Sequence, residues 1–118
     1  MSVNERYRAA LERRYADEAT LYLHEKSVDA DGIMRTQERE MGTFACRLSA
    51  VQAAGIARDV GHQDIDYNAK LFCAPEIDMG MGDRLMIRHE GMERTYEAGE
   101  AFVYETHQEV PLRRKQRA

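Results

Sequence analysis

The spacing of apolar residues changes once, near Ala16. Before it, Val3, Tyr7, Ala10, Leu11 and Tyr15 recur at i, i+4, i+7, i+8 and i+12. That stripe has a 3.6-residue period and predicts a helix from Ser2 to Tyr15. Ser2, with Glu5 three residues later, reads as a capping box. Past Ala19 the period falls to two. Leu21 and Leu23 alternate with Thr20, Tyr22 and His24, and Phe44, Cys46 and Leu48 alternate with Thr43, Ala45, Arg47 and Ser49. Tyr67, Ala69, Leu71 and Cys73 share one face of a further strand, and Leu85, Ile87 and His89 share a face of another. Phe72 lies on the opposite face of its strand, so both faces there are expected to be partly covered.

Turn chemistry supplies the boundaries. Asp29-Ala30-Asp31-Gly32 is a turn, since aspartate can bond its own backbone and glycine takes positive φ freely. Ile33 to Met41 reads as a polar returning strand or edge, broken by Gly42. Pro75 ends the strand before it. Glu90-Gly91 is a tight hairpin into Met92–Glu97, and Ala98-Gly99-Glu100 turns the chain again. Ala101 to Leu112 is the longest strand candidate, with Pro111 implying an edge or an exit. The predicted fold is mainly β: a small antiparallel β-barrel or sandwich of about six strands, with one short N-terminal helix and a long inter-strand loop. It forms a single domain, divided into helix (1–16), barrel (17–112) and basic tail (113–118). Phe44, Leu71, Ile87 and Phe102 are its expected core.

The segment 50–66 fits neither period. It mixes small, apolar and polar residues around Gly55 and Gly61. A connection of this length inside a small domain is uncommon and is often functional. It is either a surface loop with a helical turn or a projecting loop that works in an assembly. Its candidate contact residues are Gln52, Gly55, Ile56, Arg58, Asp59, Gly61, His62 and Gln63.

Charge narrows the partners. The chain has 21 acidic and 17 basic residues, for a net charge of −4. Arg113, Arg114, Lys115 and Arg117 crowd the end, so the body is more acidic than the whole. Such a body does not favour general nucleic-acid binding, which needs clustered Lys and Arg. Arg6, Arg13 and Arg14 on the helix, with Arg113, Arg114 and Lys115 in the tail, are candidate docking cations. Two roles are open to the helix: padding the sheet or docking a partner subunit. The tail reads as a frayed end or as a phosphate contact. No apolar run approaches a membrane span and the start is charged, so a cytosolic chain with two reduced, buried thiols, Cys46 and Cys73, is expected.

Catalytic signals are weak. His24, His62, His89 and His107 show no metal-ligand spacing with each other or with cysteine. Asp64 with Asp66, and Glu76 with Asp78, read as turn carboxylates. No phosphate loop, dinucleotide fingerprint or nucleophile elbow is present. Glu105, His107 and Glu109 place three polar groups on one strand face without a nucleophile, which reads as a solvated or subunit-facing surface. No catalytic residue, cofactor or metal is assigned.

One resemblance goes further. "KLFCAPEIDMGMGDRLMI", followed by "TYEAGEAFVYETHQEVPL", resembles the head-closure or minor capsid proteins of tailed bacteriophages. The matching pieces are Pro75 to Ile87, Tyr96 to Gly99 and His107 to Leu112, with Ala19 to Ile33 and Cys46 to Ser49 before them. The resemblance implies a non-enzymatic virion protein, a small β-barrel assembled as a ring beneath the portal and connector at the head–tail neck. There it closes the DNA-filled head, docks the tail and lets DNA pass without sequence-specific binding. The segment from Val51 to Asp66 falls where that family carries its long loop, making it the candidate channel or inter-subunit loop. The helix carries no motif of the family. An adaptor or tail-terminator ring, and a non-viral β-barrel binding module, are the alternatives.

Overall fold

A computed structural model describes residues 2–50 and 67–115. The elements are α1 (Val3–Glu12), β1 (Asp17–Val28), β2 (Met34–Ala50), β3 (Ala69–Cys73), β4 (Arg84–His89), β5 (Met92–Ala98), β6 (Phe102–Val103) and β7 (Gln108–Arg114). Every strand pairing is antiparallel. Hydrogen bonding runs β3-β2-β1-β4-β5-β7 and returns from β7 to β3, so six strands form a closed, barrel-like circuit, with β6 attached to β7. The mainly antiparallel β fold with one short helix is therefore the observed one.

The inward faces of all six circuit strands build the core: Ala19 and Leu21, Cys46, Leu71 with Ala69 and Cys73, Leu85 and Ile87, Tyr96 and Ala98, and Val110 and Leu112. Alanine and cysteine among larger residues suit the narrow interior of a small barrel. Leu71 and Ile87 are fully buried, as the alternation predicts. Phe44 is half-buried against the core, and Phe102 is 57% exposed. Phe102 belongs to a two-residue strand hung on the outside of the circuit, where no second layer among the described residues covers it.

Three further expectations are corrected. Gly42 does not break the chain. β2 runs through it because Met41 is the extra residue of a β-bulge, opposite the Leu21/Tyr22 step of β1. Gly42 there has φ +144°, a value a side chain would resist. Ala101 to Leu112 is not one strand. It divides at Tyr104–His107, where the Tyr104 amide donates to the His107 carbonyl at 2.8 Å. Pro111 is not at an edge. It lies in the doubly paired β7, between the stretch bonded to β6 (Gln108, Glu109) and the stretch bonded to β5 (from Leu112). Neither the β5 nor the β6 pairing includes Pro111, so its missing N–H interrupts neither ladder, and its carbonyl still accepts the Gly99 amide.

The turns follow their chemistry. Asp29 Oδ1 accepts from the amides of Asp31 and Ile33, both at 2.9 Å, and Gly32 takes φ +78°. Glu90 and Gly91, at φ +50° and +80°, make the doubly left-handed turn that suits a two-residue hairpin. The capping box at Ser2 and Glu5 forms as predicted.

Beyond Tyr22, β1 loses its β4 partner, and β1 and β2 continue as a two-stranded ribbon to the turn at Asp29. The six residues Leu23 to Val28 carry the ribbon about 20 Å past the barrel. Its base is pinned by Arg84, which stacks 4.0 Å over Tyr22 and binds Glu38 at 2.7 Å. Its tip exposes Val28, Ile33 and Met34.

Leu71→Ala should cost about 2–5 kcal/mol in urea melts, whereas Phe102→Ala should cost under about 1 kcal/mol. Burial pushes the Cys73 thiol up to about 12 and raises Cys46 further. Both are fully buried and free. A thiol reagent at pH 8 should therefore leave the folded protein unmodified and label both cysteines only in denaturant.

Candidate functional site

The helix touches the barrel lightly. A ten-residue helix is marginal on its own and needs tertiary support. No residue of α1 is buried; Val3 is 81% exposed and Tyr7 is 55% exposed. The predicted stripe thus packs only at its lower end, where Leu11 and the following Tyr15 are half-buried. Polar bonds do the rest. Arg8 grips Glu76 through both guanidinium nitrogens and Glu12 through Nε at 3.1 Å. Those bonds raise the Arg8 pKa and hold the Glu76 carboxyl below its ordinary range. Asn4 donates to Glu105, placing the start of the helix beside the Tyr104–His107 turn.

Between helix and barrel lies a groove of about 190 Å³. Tyr7 and Leu11 contribute from the helix, Arg14 from the turn after it, Arg47 from β2 and Phe72 from β3, with His107 just before β7 and Glu109 within it. Phe72 is the outward residue of its strand, and this is the cover that its apolar character predicted. His107 is the hub. Its ring stacks on Tyr104 with centroids 5.0 Å apart and on Phe72 at 6.2 Å. Nδ1 bonds Thr106 Oγ1 at 3.0 Å and Nε2 bonds Glu109 Oε2 at 2.9 Å. Lys70 reaches Glu109 Oε1 at 3.1 Å. The His107 bond, aided by Lys70, holds the Glu109 carboxyl below its ordinary range. Of the phrase expected to be a solvated or subunit-facing surface, His107 is largely covered, at 14% exposed, while Glu105 stays exposed. The neighbouring Gln108 points inward, fully buried, and donates to the carbonyls of Ala74 at 2.8 Å and Ile77 at 2.6 Å.

The candidate docking cations do not form one cluster. Arg14 lines the groove, while Arg6 on α1 and Arg13 at its C-cap stand exposed. Arg113 pairs with Glu97 at 3.0 Å. Arg114 lines a different cavity, of about 280 Å³, with His89, Arg94 and Tyr96. The tail read as a frayed end or a phosphate contact is corrected as far as Lys115: Arg113 and Arg114 belong to β7, and the Lys115 amide bonds the Thr95 carbonyl at 2.9 Å, while residues 116–118 lie outside the described ones. The loop candidates Gln52, Gly55, Ile56, Arg58, Asp59, Gly61, His62 and Gln63 lie outside the described residues. Arg47 and Tyr104 were not singled out by sequence. Strand alternation puts Arg47 on the outward face, but nothing local says that a helix from the other end of the chain meets it there.

His89 pairs with the buried Asp17, Nδ1 to Oδ1 at 2.7 Å, while Asp17 Oδ2 accepts the Leu48 amide at 2.8 Å. This ties β1, β2 and β4 at one end of the barrel. Among the described residues, no three His, Cys, Asp or Glu side chains gather as a metal site.

No protein-family model and no curated protein matches the chain. A solved structure does. The fold is similar to that of protein SF1141 from Shigella flexneri 2a, determined in solution, at a TM-score of 0.69 and 15% identity over 86% of this chain and 93% of that one. At that identity the likeness concerns architecture alone.

The Glu109 cluster has a pH signature. A carboxyl whose folded pKa is depressed adds stability that is present above the unfolded value, about 4.3, and is lost as pH falls through the folded value. Glu109→Gln should lower stability at pH 7 by about 1–2 kcal/mol and flatten the loss of stability below about pH 4. Thermal melts across pH 2–7 would measure both.

Proposed function

We propose that this chain is a structural virion protein of the phage head–tail neck, which joins head and tail as a ring beneath the portal and connector. The residue pattern from Pro75 to Leu112 motivates the reading. The observation that carries it is the β1–β2 ribbon. A two-stranded ribbon with apolar Val28, Ile33 and Met34 exposed at its tip has nothing to pack against among the described residues. An isolated hairpin of this kind is only marginally stable in water. A neighbouring subunit would cover it. The ribbon base is stiffened by Arg84, so the arm would meet a neighbour at a set angle. One arm inserted into the next barrel makes a heterologous contact, which generates a closed ring when the rotation closes.

The partners on this reading are further copies of the chain, the portal or connector on the head side and the tail on the other. DNA passes through the ring, and an acidic body does not retain it. The mechanism is mechanical: barrels set the ring and projecting segments meet neighbours. An adaptor or tail-terminator ring would use the same surfaces at a different level of the neck.

Electron microscopy of purified particles carrying a tagged copy should show the tag at the head–tail junction. A tag on the capsid shell or distal tail, or a protein missing from particles, would overturn the reading. Ile33→Asp combined with Met34→Asp should leave the melting temperature within a few degrees of the parent, because both side chains are exposed, yet yield particles without tails. Tailed, infectious particles from that variant would remove the ribbon from the assembly.

A further inference from the structure

The groove beneath α1 holds two cations that no carboxylate answers. Among the described residues neither Arg14 nor Arg47 makes an ion pair, although both line it. Glu109, which shares the lining, is already engaged by His107 and Lys70. The walls are aromatic, formed by Tyr7, Phe72 and His107. Among the described residues the buried hydroxyl of Tyr15, another lining residue, finds no hydrogen-bond partner. A buried, unpaired hydroxyl is uncommon in a finished interior.

We propose that this groove docks an acidic peptide segment of a partner protein, one carboxylate answered by Arg14 and Arg47 and an adjacent apolar side chain seated against Tyr7 and Phe72. Size decides against a cofactor. The groove's roughly 190 Å³ falls below the volume of about 300–1,000 Å³ typical of small-molecule sites, yet accommodates one or two side chains. Charge decides against nucleic acid. A phosphate backbone brings a row of negative charges to a chain of net charge −4, and here it would run past Glu109. A single carboxylate needs only the forked donors of an arginine. The surface beside the groove continues the match. The Asn4–Glu105 bond sets the exposed Val3 and Tyr7 near the exposed Tyr104, so a segment leaving the groove crosses further apolar area.

This site goes beyond the virion reading and holds whether or not the protein works in a neck. The test is a titration of the ¹⁵N-labelled full chain, followed by amide shifts. The probes are a blocked hexapeptide of sequence SFDSLS, which carries one carboxylate, its lysine counterpart SFKSLS, and a ten-nucleotide oligothymidylate. The acidic peptide should shift the amides of Tyr7, Arg14, Arg47, Phe72 and His107 saturably, and the lysine peptide should not. Arg14→Glu, at an exposed turn position between α1 and β1, should weaken binding by about tenfold. Arg47→Glu should do the same. No shift at these residues with millimolar acidic peptide overturns the proposal. So do equal shifts with the lysine peptide, or stronger ones with oligothymidylate, which would make the groove a nucleic-acid site. None of these results bears on where the protein sits in a particle.

Discussion

The fold depends on β7 being hydrogen-bonded along both of its edges. One edge takes β3, from Ala69↔Leu112 to Cys73↔Gln108; the other takes β5 and then β6. Without β7, β3 and β5 would each present a bare edge, and Val110 and Leu112 would leave the core. Its burial alternates strictly from Gln108 to Leu112 because each inward residue meets both neighbours. The same strand settles the loops. Gln108 holds the β3–β4 connection by two carbonyls, and the Pro111 carbonyl receives the Gly99 amide at 2.8 Å. Gly99 is needed there because a Cβ would come within 2.7 Å of the Tyr67 ring. Because the chain's last strand closes the sheet, long-range pairing dominates the topology, and folding is correspondingly non-local.

Local chemistry was legible wherever a single residue or pair imposes its own geometry. The Ser2 capping box, the Asp29–Gly32 turn, the Glu90-Gly91 hairpin and the stop at Pro75 are of this kind. The inward faces of β3 and β4 were legible too, because alternation is strict where one face is buried. It misled at three places where a partner strand, absent from any local window, decides the outcome. Gly42 reads as a break unless β1 is known to tolerate an extra residue opposite it. Pro111 reads as an edge unless β7 is known to change partners at that point. Phe102 reads as core unless β6 is known to hang outside the circuit.

The candidate site was less legible than the fold, for the same reason at longer range. The unusual phrase around His107 was visible as unusual, but its meaning depends on Phe72, Arg47 and the N-terminal helix, which come together only when the sheet closes. Arg14 could be suspected from its place on an exposed helix. Its companion is not Arg113 or Arg114, which β7 carries into other contacts, but Arg47. The basic stretch from Arg113 to Lys115 therefore dissolves into pairs and strand backbone, while Arg47, one of three arginines in β2, acquires the role.

The magnitudes bear on how the ribbon can work. Val28, Ile33 and Met34 are between half and two-thirds exposed, at 64%, 54% and 66%. Burying them completely would gain roughly 3–6 kcal/mol in all. Association of two free proteins costs about 4–15 kcal/mol in lost translation and rotation, before any side chain is ordered. One arm in one socket is therefore marginal, and an isolated pair of subunits would be weakly held by this contact alone. A ring changes the balance, because each subunit gives an arm and receives one, and the closing contact forms at no further loss of free translation. On the proposed reading the protein stays dispersed when alone and assembles where another surface has already gathered its copies. That behaviour follows from an arm just large enough to be useful in a closed circle and too small to be useful in a pair.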